Sequence, residues 1–117
     1  MKFNLSLKDT QITIIEDLKN KYPTNSNEEI VKKYVSAALQ LNKNDMIFDI
    51  EREKCSGGCF ASEPKFEVDM DEGDFRKLKD IYENYDFDDY KTYEEKVSKI
   101  IRCIFNFIED EPDVISL

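Results

Sequence analysis

The chain contains no histidine and only three cysteines. Without histidine the usual Ser-His and Cys-His nucleophile pairs and His-metal sites cannot be built, so no catalytic residue, metal or cofactor is expected. Three thiols also argue against a secreted disulfide framework, because bridges need pairs and small secreted domains use many. No run approaches the roughly 18 apolar residues needed to cross a bilayer. Met1 to Leu7 alternates polar with apolar residues instead of forming a signal-peptide core. The expectation is an intracellular, cytoplasmic protein with no membrane partner. Its 117 residues, 40% of them hydrophobic, suffice for one compact domain or two very small ones, and a catalytic domain with a cofactor pocket would be cramped.

A net charge of −9 would ordinarily argue against nucleic acid, whose affinity for proteins comes largely from cations that displace counterions. The average hides an asymmetry. Residues 1–44 hold 7 Lys against 5 acids, and residues 45–117 hold 10 Lys plus Arg against 21 acids. Any contact with DNA should lean on the first half.

Along the chain, Lys2 to Lys8 puts Phe3, Leu5 and Leu7 on one face and Lys2, Asn4, Ser6 and Lys8 on the other, the pattern of a half-buried strand. Ile12, Ile15, Leu18 and Tyr22 then recur at helical spacing until Pro23. Ser26 and Glu29 form a capping box that starts a second helix, whose apolar surface runs from Ile30 to Leu41.

The same order returns. Lys65 to Asp71 alternates with Phe66, Val68 and Met70 inward, and a helix follows with Phe75, Leu78, Ile81, Tyr82 and Tyr85. Phe66, Leu78 and Ile81 lie 63 positions after Phe3, Ile15 and Leu18. A second capping box, Thr92 with Glu95, lies 66 positions after the first, and its helix runs from Val97 to Ile108. One small change of offset across the whole order marks an internal repeat. The expected organisation is repeat one at 1–42, a linker at 43–64 containing Gly57, Gly58 and Pro64, repeat two at 65–111, and a charged, frayed tail at 112–117. Met46 to Ile50, apolar enough to pack, reads either as an extension of the second helix or as an extra strand.

A strand, a helix, a short turn, a Ser or Thr cap and a longer helix, taken together and seen twice, resemble the ribbon-helix-helix superfamily that includes the Arc and Met repressors. Single-chain tandem forms are similar to small transcription regulators of archaeal viruses, which would place the protein in a host cytoplasm. The resemblance implies a mostly α fold with a short two-stranded antiparallel β-ribbon, a tandem pseudo-dimer in one chain. It implies a sequence-specific regulator that binds double-stranded DNA, with the ribbon in the major groove and the amino ends of the second helices at the flanking phosphates. Base contacts then fall to Lys2, Asn4, Ser6 and Lys8, with Lys65 assisting. Glu67 and Asp69 also face the groove and depart from the family's usual basic or amide side chains, although a carboxylate can accept from cytosine N4. Phosphate contacts fall to Ser26, Asn27, Thr92 and Tyr93, with Lys91 nearby. One pseudo-dimer covers only a short site, so self-association on DNA is expected.

Strand two paired with its own copy from another molecule would crowd Glu67, Asp69 and Asp71, and like charges opposite one another are unfavourable. Pairing within one chain is therefore expected, with Leu5 opposite Val68. The outward pairs would be Lys2 with Asp71, Asn4 with Asp69, Ser6 with Glu67 and Lys8 with Lys65; the inward ones would be Phe3 with Met70 and Leu7 with Phe66. The plainer alternative is that these polar residues only line the wet face of the ribbon. A different function on the same fold is a protein-binding module, antitoxin-like or inhibitory, whose acidic second half engages a basic partner.

Three features stand apart. Cys55 and Cys59 could bridge, hold a metal with a second chain, or stay unbridged, whereas Cys103 reads as packed core. The stretch from Tyr82 to Tyr93, with Tyr85, Phe87, Tyr90 and several Asp, reads as a helix end and solvated loop, or as a partner-binding loop or an acidic mimic of nucleic acid. Glu109 to Asp113 reads as a charged, frayed terminus, and the paired acids elsewhere follow helix surfaces and suggest no glycosidase or nuclease chemistry.

Overall fold

The computed structural model describes residues 1–22, 26–48, 64–84 and 91–115. Within them the order is β1 (Lys2–Ser6), α1 (Asp9–Lys21), α2 (Asn27–Gln40), α3 (Asn44–Ile47), β2 (Pro64–Asp69), α4 (Glu72–Asn84) and α5 (Tyr93–Asp110). The protein is mostly helical with one small two-stranded antiparallel sheet, β1 against β2.

The helix limits follow from local chemistry. α1 buries Gln11, Ile14, Ile15 and Leu18, one stripe at three- and four-residue spacing. It stops as Tyr22 leaves the helical region at φ −133° and ψ 69°, as the residue before a proline should. At the start of α2, Ser26 Oγ accepts from the Glu29 amide at 3.2 Å and the Glu29 carboxylate accepts from the Ser26 amide at 3.3 Å, which completes the expected box. Beyond α2, Asn42 takes φ 57°, a left-handed conformation that asparagine tolerates and that ends helices. The chain then makes the single turn of α3, so Met46 to Ile50 begins neither as a continuation of α2 nor as a strand. This turn delivers Ile47 and Phe48 fully into the core.

Both halves share one core. Phe3 of β1 meets Phe75 of α4 edge-to-face at 5.3 Å, and Tyr34 of α2 meets Phe105 of α5 at 6.4 Å. Each second helix reaches across to the other half, α5 packing on β1 and α1 while α2 packs on β2 and α4. Every residue of α5 from Val97 to Ile108 is buried, including Cys103 as expected. Its polar side chains must therefore find partners inside.

The register differs from the expected one by two residues. Lys2 stands opposite Asp69, Phe3 opposite Val68, Asn4 opposite Glu67 and Leu5 opposite Phe66. Met1 continues the ladder, its carbonyl accepting from the Met70 amide at 2.8 Å. Asp71 is thereby left outside the strand. The ladder breaks between Leu5 and Ser6, where the next partner is Pro64, which has no amide hydrogen to give. The Ser6 carbonyl takes a hydrogen bond from Arg102 at 2.7 Å instead, and its amide donates to Ser98 Oγ at 3.1 Å.

The tail also differs from expectation. Glu111 to Asp113 are exposed, but the chain turns back and buries Ile115 to 2% exposure. An apolar side chain anchors what charge alone would leave frayed.

Candidate nucleic-acid interface

Among the described residues, the solvent face of the ribbon carries four exposed side chains, Lys2 and Asn4 from β1 and Glu67 and Asp69 from β2. They cross-pair as cation with anion and amide with anion, arrangements that are favourable between strands. Alternation fixes this face, because a slip of two residues changes partners without turning any side chain over.

The two free edges of the ribbon are closed in a matching way by the starts of the second helices. The Asn4 amide donates to Glu94 Oε2 at 3.0 Å, and the Asp69 amide donates to Glu28 Oε1 at 3.4 Å. Glu28 and Glu94 are the second residues of the two helices and lie 66 positions apart. The edge bonds hold both helix starts beside the ribbon, with Ser26 capping one and Thr92, accepting from the Glu95 amide at 3.2 Å, capping the other.

Charge on this surface is mixed. The amino terminus lies 3.1 Å from Asp69 Oδ1, with both groups about half exposed. The Asp69 carboxyl is held below its ordinary value by the hydrogen bond from that ammonium, then by its charge, with Lys2 and Lys32 adding to the effect. Around the start of α5 the exposed ring of Tyr93 has Lys79 Nζ 4.5 Å and Lys96 Nζ 5.2 Å from its centroid, contacts in which the ring face attracts the cations. Lys91 is exposed beside them.

Of the expected base-contacting residues, Lys2, Asn4, Glu67 and Asp69 share the exposed ribbon face. Ser6 does not: it is 6% exposed and both its backbone groups are tied to α5. Lys8 also leaves the ribbon, for β1 ends at Ser6 and Lys8 is the half-buried cap of α1, its amide donating to Gln11 Oε1 at 2.7 Å. The Lys65 side chain lies outside the described residues, as do Cys55, Cys59, Tyr85, Phe87 and Tyr90. Among the expected phosphate contacts, Ser26, Lys91, Thr92 and Tyr93 are exposed. Asn27 is half-buried, and its Oδ1 is enclosed with no hydrogen-bond partner among the described residues.

Glu28, Glu94, Lys79 and Lys96 are the residues that reading the sequence missed. The two glutamates had a signal, since they recur at the same place in both capping boxes; the lysines had none, because α4 meets α5 only in three dimensions. Among the described residues no group of three or more His, Cys, Asp or Glu is placed to hold a metal ion, and no helix is long and apolar enough to cross a membrane. Compared with protein-family models, curated proteins and solved structures, the chain matches none.

Proposed function

We propose that the chain is a single-molecule ribbon-helix-helix pseudo-dimer that binds double-stranded DNA as a transcription regulator, with the β1–β2 ribbon in the major groove. The observation that carries this reading is the pair of edge contacts, Asn4 with Glu94 and Asp69 with Glu28, which set a capped helix start at each side of an exposed two-stranded ribbon. A ribbon fits the major groove, and helix starts at its sides are where the groove's flanking phosphates pass.

The chemistry of the four outward residues suits direct reading of bases. Lys2 is matched to guanine acceptors, Asn4 to the donor and acceptor of adenine, and Glu67 and Asp69 to the amino group of cytosine. Phosphate attraction is weak by comparison, since Glu28 and Glu94 sit at the flanks and leave Lys91, Lys79 and Lys96 on one side and Lys32 and Lys33 on the other. The protein therefore discriminates between sequences more strongly than it binds DNA in general, and its salt dependence is shallow.

Selection of bound sequences from a random duplex pool tests the proposal. A recovered motif that relaxes at one position on Asn4→Ala supports it; recovery of the unselected pool overturns it.

A second reading is favoured by the acids themselves. With Glu67, Asp69, Glu28 and Glu94 gathered on and beside the ribbon, the same face suits a basic protein. Under this reading binding to random DNA is absent at low salt, and a basic protein co-purifies with the chain.

A further inference from the structure

The two halves treat one seam differently. Where α5 passes the end of β1 and the start of α1, the seam is filled: Arg102 is fully buried and donates to the Ser6 carbonyl, and Asn106 Oδ1 accepts from Gln11 Nε2 at 2.8 Å. Where α2 passes the end of β2 and the start of α4, a groove of ≈ 630 Å³ lies open. The positions correspond. At the offset of 66 that relates the capping boxes, Ser36 stands where Arg102 does and Gln40 where Asn106 does. At the offset of 63 that relates the first helices, Asp71 and Asp74 stand where Lys8 and Gln11 do. All four residues line the groove.

We propose that this groove is a docking site for an arginine side chain presented by a protein partner. Replacing a long buried guanidinium by the hydroxymethyl of Ser36 leaves the length of one arginine side chain unfilled. The walls then supply what a guanidinium needs. Asp71 and Asp74 offer two carboxylates where the filled seam has a lysine and a glutamine, and carboxylates match the planar fork of arginine. The Gln40 amide oxygen is a further acceptor. Tyr22, also in the lining, supplies a ring face on which a guanidinium stacks. Ala37 and Met70 give the methylene stem an apolar floor. Lys32 and Lys33 line the α2 wall and balance the two carboxylates, so preference for arginine over other cations arises from shape and stacking more than from net charge. The site shares Lys32 and Lys33 with one flank of the ribbon but none of the ribbon's outward residues, and its test uses no DNA.

The experiment follows backbone amide shifts on addition of an acetylated Ala-Ala-Arg-Ala-Ala amide to the full chain, with lysine, citrulline and glutamate versions as comparisons. The arginine peptide is expected to move the amides around residues 36–40 and 70–74, and the citrulline and glutamate peptides to leave them in place. Ser36→Arg, which fills the groove from within as Arg102 fills its own seam, is expected to abolish binding while leaving the fold at least as stable. Asp74→Asn is expected to weaken binding by about tenfold through loss of a charge-assisted bond. This second variant keeps the test decisive if Ser36→Arg does not fold. Equal shifts with arginine and citrulline, preference for glutamate, or undiminished binding in the folded variants would overturn the assignment.

Discussion

Arg102 and Ser6, 96 residues apart in sequence, are joined by a buried hydrogen bond of 2.7 Å from guanidinium to backbone carbonyl. This contact ties the last helix to the end of the first strand at the point where the ladder breaks. Arg102→Ala removes both the bond and the packed stem and is expected to destabilise the fold by about 3 kcal/mol. Arg102→Met keeps most of the volume and should cost less, about 1–3 kcal/mol, for the orphaned carbonyl. Urea unfolding of the two variants measures the difference; equal losses would mean that the hydrogen bond alone matters at this site and the packed stem contributes nothing.

Gln11 and Asn106 form a second buried polar link between α1 and α5. Gln11 Oε1 accepts from the Lys8 amide while Gln11 Nε2 donates to Asn106, so one side chain caps a helix and joins it to another. A double-mutant cycle on Gln11→Ala and Asn106→Ala is expected to give a coupling of about 1 kcal/mol. A coupling near zero would show that water replaces the bond without cost.

The two helix caps act locally and share no partner. Ser26→Ala and Thr92→Ala are each expected to lower stability by about 1 kcal/mol, and the double variant by close to the sum. Chemical denaturation checks both magnitude and additivity.

Asp69 links pH to the ribbon. Its carboxyl is lowered from 3.8 in the folded protein, so folding favours the charged form. The resulting stabilisation is fully present above the ordinary aspartate value and is lost as pH falls through the lower folded value. The pair is exposed, so the effect is small and weakens with salt. Asp69→Asn should flatten stability against pH below about pH 4 and nowhere else. A carbon NMR titration of the Asp69 carboxyl checks the direction; a midpoint at or above the ordinary value contradicts it.

On the proposed function, Asn4→Ala is expected to relax discrimination at one base pair by about 1–3 kcal/mol while leaving stability unchanged, since the Asn4 side chain is exposed. Lys2→Ala should relax discrimination at the separate base pair that Lys2 reads. Ser6→Ala is expected to leave DNA discrimination untouched, because Ser6 faces α5 and not solvent. Competition binding with specific and scrambled duplexes separates the three.

Much of this architecture was legible in the sequence. The period of two in Lys2 to Lys8 and again in Lys65 to Asp71 marked the strands, and their acidic outward residues argued correctly for pairing within the chain. Ser26 and Thr92 marked the starts of α2 and α5 because a cap is satisfied by the backbone only three residues away. Alternation also set Phe3, Leu5, Val68 and Met70 inward and Lys2, Asn4, Glu67 and Asp69 outward, and a shift of two residues leaves these faces unchanged, whereas Ser6, expected outward, is buried against α5. The same periodicity could not choose between registers that differ by two, and matching charges across the ribbon chose the wrong one.

What the chain determined by itself is its local repertoire: where the two strands and the four longer helices lie, and the apolar stripe that each carries. Those choices depend on side-chain periodicity and on groups three or four residues apart. Only the tertiary structure decided the fate of Ser6, Lys8, Asp71 and Ile115, and the difference between the filled seam at Arg102 and the open one at Ser36. Each of these depends on a partner brought alongside by packing, and the energy of a buried polar group is set by what stands next to it in space.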